Sequence, residues 1–134
     1  MSTDKRNIRV SEVMIGDVRS IDGLATVSDA AALMRSHSST SLVVNRRDAD
    51  DEAGMIDIQG IAREVIARNR APDRVHVYEV MTKPVVSLPA TMLVRYAVRH
   101  LTNLGLRRAL VVDQERNVIG IVALRDMVLA WIAD

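Results

Sequence analysis

The chain has 134 residues, 49% of them hydrophobic and 26% charged, with a formal net charge of +1 and no cysteine. That length buries roughly two thirds of the unfolded surface, so a globular fold needs no staple. Without cysteine, a disulfide framework, thiolate-held zinc, an iron–sulfur cluster and a thiol nucleophile are all excluded. Balanced charge gives no general attraction to polyanions. Tyr78, Tyr96 and Trp131 are the only aromatic rings besides histidine, which leaves no stacking platform for single-stranded nucleic acid. Met1 to Val10 is polar, and no apolar run reaches the roughly 18 residues that span a bilayer. A soluble, cytoplasmic protein without membrane or nucleic-acid partners is expected.

In chain order, a polar tail (residues 1–9) leads to a short turn at Val10-Ser-Glu-Val-Met14. Short β-branched runs predict strands at Val18 to Ile21, Leu42 to Val44 and Met55 to Ile58. Between the first two, Val27, Ala30, Ala31 and Met34 fall on one helical face. Asn45 to Gly54 is a polar hairpin tip whose carboxylates read as a solvated charge run. A closing helix follows Gly60 and carries Val65 and Ile66, and Asn69-Arg-Ala-Pro-Asp73 is a turn signal. The second half repeats this order: strands at Val85 to Leu88, Leu110 to Val112 and Val118 to Val122. Leu93, Ala97, Leu101 and Leu104 form its helical stripe, and a closing helix after Ala123 carries Met127, Val128, Trp131 and Ile132.

The repetition is residue by residue. Val10-Ser-Glu-Val-Met14 recurs as Val77-Tyr-Glu-Val-Met81, an offset of 81 − 14 = 67 that continues through Val18/Val85, Ser20/Ser87, Val27/Val94 and Ala30/Ala97. Leu42-Val-Val-Asn45 then matches Leu110-Val-Val-Asp113 at offset 68, and Ile56-Asp-Ile58 matches Ile119-Gly-Ile121 at offset 63. The predicted fold class is α/β (α+β): two βαββα repeats, residues 10–70 and 77–134, with a linker over 71–76. A three-stranded sheet with two helices leaves one apolar sheet face uncovered, so two copies are expected to pack as a pseudo-twofold pair with two related clefts.

Val80-Met-Thr-Lys-Pro-Val85, Leu104-Gly-Leu-Arg-Arg-Ala-Leu-Val-Val-Asp113 and Val118-Ile-Gly-Ile-Val-Ala-Leu-Arg-Asp-Met127 together resemble a cystathionine β-synthase-type (CBS) domain, and the first repeat resembles it more loosely. The resemblance implies a regulatory module and not an enzyme. It also implies that the ligand is adenosine-containing, such as AMP, ADP, ATP or S-adenosylmethionine, with no cofactor required. It places the adenine against Lys83, Pro84, Val85, Ala109 and Leu110, beside Thr82, and the ribose hydroxyls on Asp126. A carboxylate there can accept both diol hydrogens, while Arg107, Arg108 and Arg125 supply cations for phosphate. The family commonly carries Ser or Thr three residues before the aspartate, where this chain has Ala123. In the first repeat the matching weaker site is Gly16, Asp17, Val18, Thr40, Ser41, Leu42, Gly60 and Arg63. Offset 63 puts Gly60 at the hydroxyl position and Arg63 at the aspartate position, and arginine cannot accept a ribose hydrogen bond.

Each feature also has a plainer reading. Asp126 is equally the kind of residue favoured at a helix start by the macrodipole, and the arginines are equally solvated faces. His37, His76 and His100 lack metal-ligand spacing, with His100 expected to pack beside the apolar stripe. The family further implies a homodimer formed through helices, near Trp131 and Leu104; the regulated target is expected to be a separate effector protein that the sequence does not name. The alternative is a structural or partner-binding module with degenerate nucleotide sites, for which Ala123 and Arg63 speak.

Overall fold

The computed structural model describes residues 7–83 and 85–133. The chain forms two compact units, one of residues 19–85 and the other joining residues 7–18 to 86–133. Each holds a three-stranded sheet.

In the 19–85 unit the elements are β1 (Ser20–Ile21), α1 (Val27–Ser36), β2 (Ser41–Val44), β3 (Gly54–Asp57) and α2 (Ile58–Ile61), which runs on as a π-helical turn over Ala62–Ile66. β1 is parallel and β3 antiparallel to the central β2. The π turn is set by hydrogen bonds five residues apart, from Ala67 N to Ala62 O (2.8 Å) and from Arg70 N to Val65 O (2.9 Å). α1 begins with a reciprocal cap, Thr26 accepting from Asp29 N while Asp29 accepts from Thr26 N, both at 3.1 Å. It buries Val27, Ala30 and Met34 of the expected stripe, with Ala31 only half-buried.

The second unit contains β4 (Ser87–Pro89), α3 (Val94–Leu104), β5 (Arg108–Val112), β6 (Val118–Ala123) and α4 (Leu124–Ile132), with the same strand directions. α3 buries Val94, Ala97 and Leu101. Two expectations for this helix are corrected. Leu93 is its N-cap, so the core stripe starts at Val94, and Leu104, one turn beyond Leu101, is 50% exposed. His100 is exposed and not packed. Gly105, at φ 68°, ends α3 in the left-handed conformation that costs glycine nothing.

The lead-in turns exchange places. Val77–Glu79 is a 3-10 turn that packs on the sheet of the first repeat, with Val77 N donating to Ala25 O and Val27 N to Val75 O, each at 2.8 Å. Val10–Glu12 does the same for the second repeat, with Val10 N donating to Met92 O and Val94 N to Ile8 O at 2.8 Å. The repeated Val-x-Glu-Val-Met thus has a residue-level reason. Val10 and Val77 are fully buried anchors. Glu12 and Glu79 close their turns by accepting from the amides of Arg9 (2.6 Å) and His76 (2.8 Å). The methionines lie over a glycine: a Cβ on Gly54 would stand 3.0 Å from Met81 Sδ and 3.1 Å from Thr82 O. One on Gly120 would collide with Met14 Sδ and stand 3.0 Å from Ile15 O.

These contacts correct the repeat alignment. Ser20 and Ser87 pair with Val43 and Leu110, so the second strands correspond at offset 67 and not 68. Gly54 and Gly120 pair with Val44 and Val111, which sets the third strands at offset 66 and not 63. Core membership agrees: Leu42, Val44 and Ile56 face one core, and Ala109, Val111 and Val122 face the other. Because side chains alternate along a strand, a one- or three-residue slip exchanges core and outer faces.

Candidate functional site

In the second unit, sheet pairing gathers several residues of the expected site around the start of α4. Arg108 lies opposite Ala123 in the β5–β6 ladder, and Leu124 N donates to Arg107 O at 2.8 Å, tying the strand start to the helix start. Ala123 is the N-cap of α4 and offers no side-chain acceptor, so the first amides of the helix keep no side-chain cap. Asp126 stands in the first turn, half-buried, and no hydrogen bond or ion pair among the described residues occupies its carboxylate. Arg125 beside it and Arg107 are exposed, whereas Ala109 and Leu110 are buried.

In the 19–85 unit the matching place is built alike and filled differently. Ser41 lies opposite Asp57, and Ile58 N donates to Thr40 O at 3.0 Å. The residue matching Ala123 is Asp57, whose Oδ1 caps α2 by accepting from Gly60 N at 2.8 Å. The residue matching Asp126 is Gly60. Arg63 therefore does not occupy the aspartate position, as offset 63 implied. It lies a turn further along, exposed, with its Nε 3.2 Å from Glu64 Oε1. Arg63 and then Arg68 hold the Glu64 carboxyl below its ordinary range.

The remaining expected residues fall on the two sides of the unit boundary. Thr82, Lys83 and Val85 belong to the 19–85 unit, and Gly16, Asp17 and Val18 to the other. Pro84 lies outside the described residues. The Lys83 ammonium is held by Asp51 Oδ1. Asp51 Oδ2 also accepts from Arg47 N (2.9 Å) and Arg47 Nε (3.1 Å), and its side chain is only 8% exposed. The Lys83 ammonium first, then the Arg47 amide and guanidinium, hold the Asp51 carboxyl far below the ordinary carboxylate range. Asp51 was expected in a solvated charge run; instead it fastens the β2–β3 hairpin to the segment before β4. Composition could not separate it from Asp48 and Asp50, since only the fold brings Lys83 to it.

Among the described residues, no group of three or more histidines or carboxylates is placed to hold a metal ion. Among the same residues, no helix is long and apolar enough to cross a membrane.

Two sheets of identical topology, each with its lead-in turn and with the helix start beside the central strand, are a family pattern, and residues 10–67 and 77–132 each match the CBS domain. The chain belongs to the CBS domain family. An uncharacterized protein of Methanopyrus kandleri is 30% identical over 122 residues, covering 91% of this chain and 62% of that protein. The chain thus spans about three fifths of that relative's length. The hexameric CBS-CP12 protein of bloom-forming cyanobacteria superposes with a TM-score of 0.83 at 32% identity, over 90% of this chain and 66% of that one. The CBS domain of a bacterial CNNM/CorC family Mg2+ transporter, solved with ATP, shares the fold with a TM-score of 0.79 at 22% identity, over 96% of this chain and 89% of that one.

Proposed function

We propose that this CBS pair is a regulatory module that binds one adenosine-containing ligand, an adenine nucleotide or S-adenosylmethionine, at the α4 end of the second unit. The observation that supports it most is the Asp126 carboxylate, half-buried and without a partner among the described residues, at the start of a helix that has no side-chain cap. A ribose diol satisfies both acceptor oxygens, and the exposed Arg107 and Arg125 guanidiniums meet phosphate oxygens in charge-assisted bonds. The ATP complex of the transporter's CBS domain lends the same ligand class to the fold. The first repeat, with Gly60 in place of the aspartate and Asp57 committed to its own helix, holds no ribose. Binding acts on a separate effector by favouring one conformation, which requires unequal affinity for the two. A cytoplasmic homodimer, joined through the exposed Leu104, Leu129 and Ile132, completes the reading.

A thermal-unfolding panel of AMP, ADP, ATP and S-adenosylmethionine on the wild type and Asp126→Ala tests this. At a hundred times its Kd a single-site ligand adds about 2.7 kcal/mol, which raises Tm by on the order of ten degrees. The expected result is such a shift with one adenosyl ligand, lost in the variant. No shift at millimolar ligand, or a shift that survives Asp126→Ala, overturns the proposal and favours a partner-binding scaffold.

A further inference from the structure

The 19–85 unit holds a cleft that the Asp126 site does not explain. It has a volume of about 700 Å³ and lies at the C-terminal ends of β1 and β2, whereas Thr40, Ser41 and Gly60 lie at the opposite end of β2. Its wall is apolar along Leu24, Val44 and Met81 and is completed by the Tyr78 ring. That ring is fixed in place: it stacks on His76 with centroids 5.3 Å apart at 15°, and Tyr78 N donates to Gly23 O at 3.0 Å.

The charges select the occupant. Among the described residues three cations line the cleft, Arg46, Arg47 and Lys83, but Asp51 already holds the last two. Among the described residues, Arg46 has no hydrogen bond or ion pair. Asp22 lines the same cleft, its Oδ1 accepting from Leu24 N at 2.8 Å. Against these three cations stand two carboxylates, Asp22 and Asp51, which leaves a formal net charge of +1 with Arg46 as the available guanidinium; that matches a singly charged anion and disfavours a phosphate dianion. The volume suits a small molecule, and a fixed aromatic ring beside apolar side chains suits a flat one.

The geometry points to this cleft as a second ligand site, separate from the nucleoside site, for a flat-ringed organic monoanion such as an aromatic carboxylate. Arg46 pairs with the carboxylate, and the ring lies among Tyr78, Leu24 and Met81. Met81 and Lys83 precede β4 in sequence, so the ligand touches the lead-in segment of the second repeat.

The test is a titration of the full chain carrying Asp126→Ala, followed by backbone amide chemical shifts, with naphthalene-2-carboxylate as one probe and AMP as the other. The Asp126→Ala background separates this site from the nucleoside reading, which stands or falls by its own panel. Saturable movement of the Gly23, Asn45 and Tyr78 amides with the naphthoate is expected, with Kd raised roughly tenfold or more by Arg46→Glu. Leu24→Ser is expected to weaken binding as well. Arg46 is exposed and Leu24 is 74% exposed, so both variants keep the fold. No saturable movement at millimolar naphthoate, or an affinity unchanged by Arg46→Glu, overturns the site. AMP binding there as tightly as the naphthoate overturns the monoanion assignment.

Discussion

Asp51 shows how far a single residue's role departs from its composition class. It sits in a hairpin with Asp48, Asp50 and Glu52, yet it alone reaches Lys83 and Arg47. Its carboxyl titrates below the ordinary value of about 4. A depressed carboxylate contributes stability that is present above its unfolded-state pKa and lost as pH falls through the folded one. Asp51→Asn should therefore be less stable than the wild type at neutral pH, and its stability should fall less steeply as pH drops below about 4. Glu64 and Glu79, also held low, remain in both proteins, so the difference isolates Asp51. Urea midpoints measured across that acid range check this; parallel curves for the two proteins would contradict it.

At the scale of elements, each lead-in turn docks through one methionine and one backbone pairing onto a glycine-bearing strand. Met55 and Thr82 exchange amide bonds at 3.1 and 2.8 Å, and Ile15 and Ile121 do so at 2.8 and 3.0 Å. A methyl group at either glycine must displace a methionine sulfur and crowd a carbonyl. Gly120→Ala is expected to cost about 1–3 kcal/mol, as overpacking usually does, and Gly54→Ala less, because its contacts are looser. Chemical denaturation measures both; a neutral Gly120→Ala would mean that the turn does not dock this closely.

The same contacts explain what the sequence disclosed and what it hid. Strand order, helices and the twofold repetition were legible because β-branched runs and helical spacing are local signals. The register of the last strands was not. Ile56-Asp-Ile58 and Ile119-Gly-Ile121 match by residue type, but Val118, Ile119, Ile121 and Val122 put apolar residues on both faces of the strand, so residue type did not reveal that a three-residue slip exchanges the faces. Gly54 and Gly120 carried the better signal, since each must sit under its methionine. That shift moves the first-repeat counterpart of Asp126 from Arg63 to Gly60. The clustering of Arg107, Arg108, Ala123 and Asp126 could be anticipated from the resemblance. The capture of Lys83 by Asp51, 32 residues away, could not.

For the whole molecule, the exchange of lead-in turns means that sequence repeats and compact units are not interchangeable as pieces. A fragment of residues 19–85 keeps Val75, Val77 and Val80 in the core of the first sheet, whereas a fragment of residues 10–70 loses all three. Burying one valine is worth about 1.5–3 kcal/mol, so the loss is comparable with the stability of an entire small domain. The 19–85 fragment should unfold at a clearly higher urea concentration than the 10–70 fragment, as followed by circular dichroism. Equal midpoints would show that the turn adds little.

Asymmetry is also the central feature of the proposed function. Two repeats of one topology present at one helix start a carboxylate without a partner among the described residues, Asp126, and at the other a glycine with a capping aspartate, Gly60 and Asp57. Calorimetric titration of the full chain with the adenosyl ligand selected by the thermal panel, on the wild type and on Asp126→Asn, tests this most directly. The expected result is one ligand per chain, with binding lost in the variant. Two equivalent ligands per chain, or binding that persists in Asp126→Asn, would contradict it.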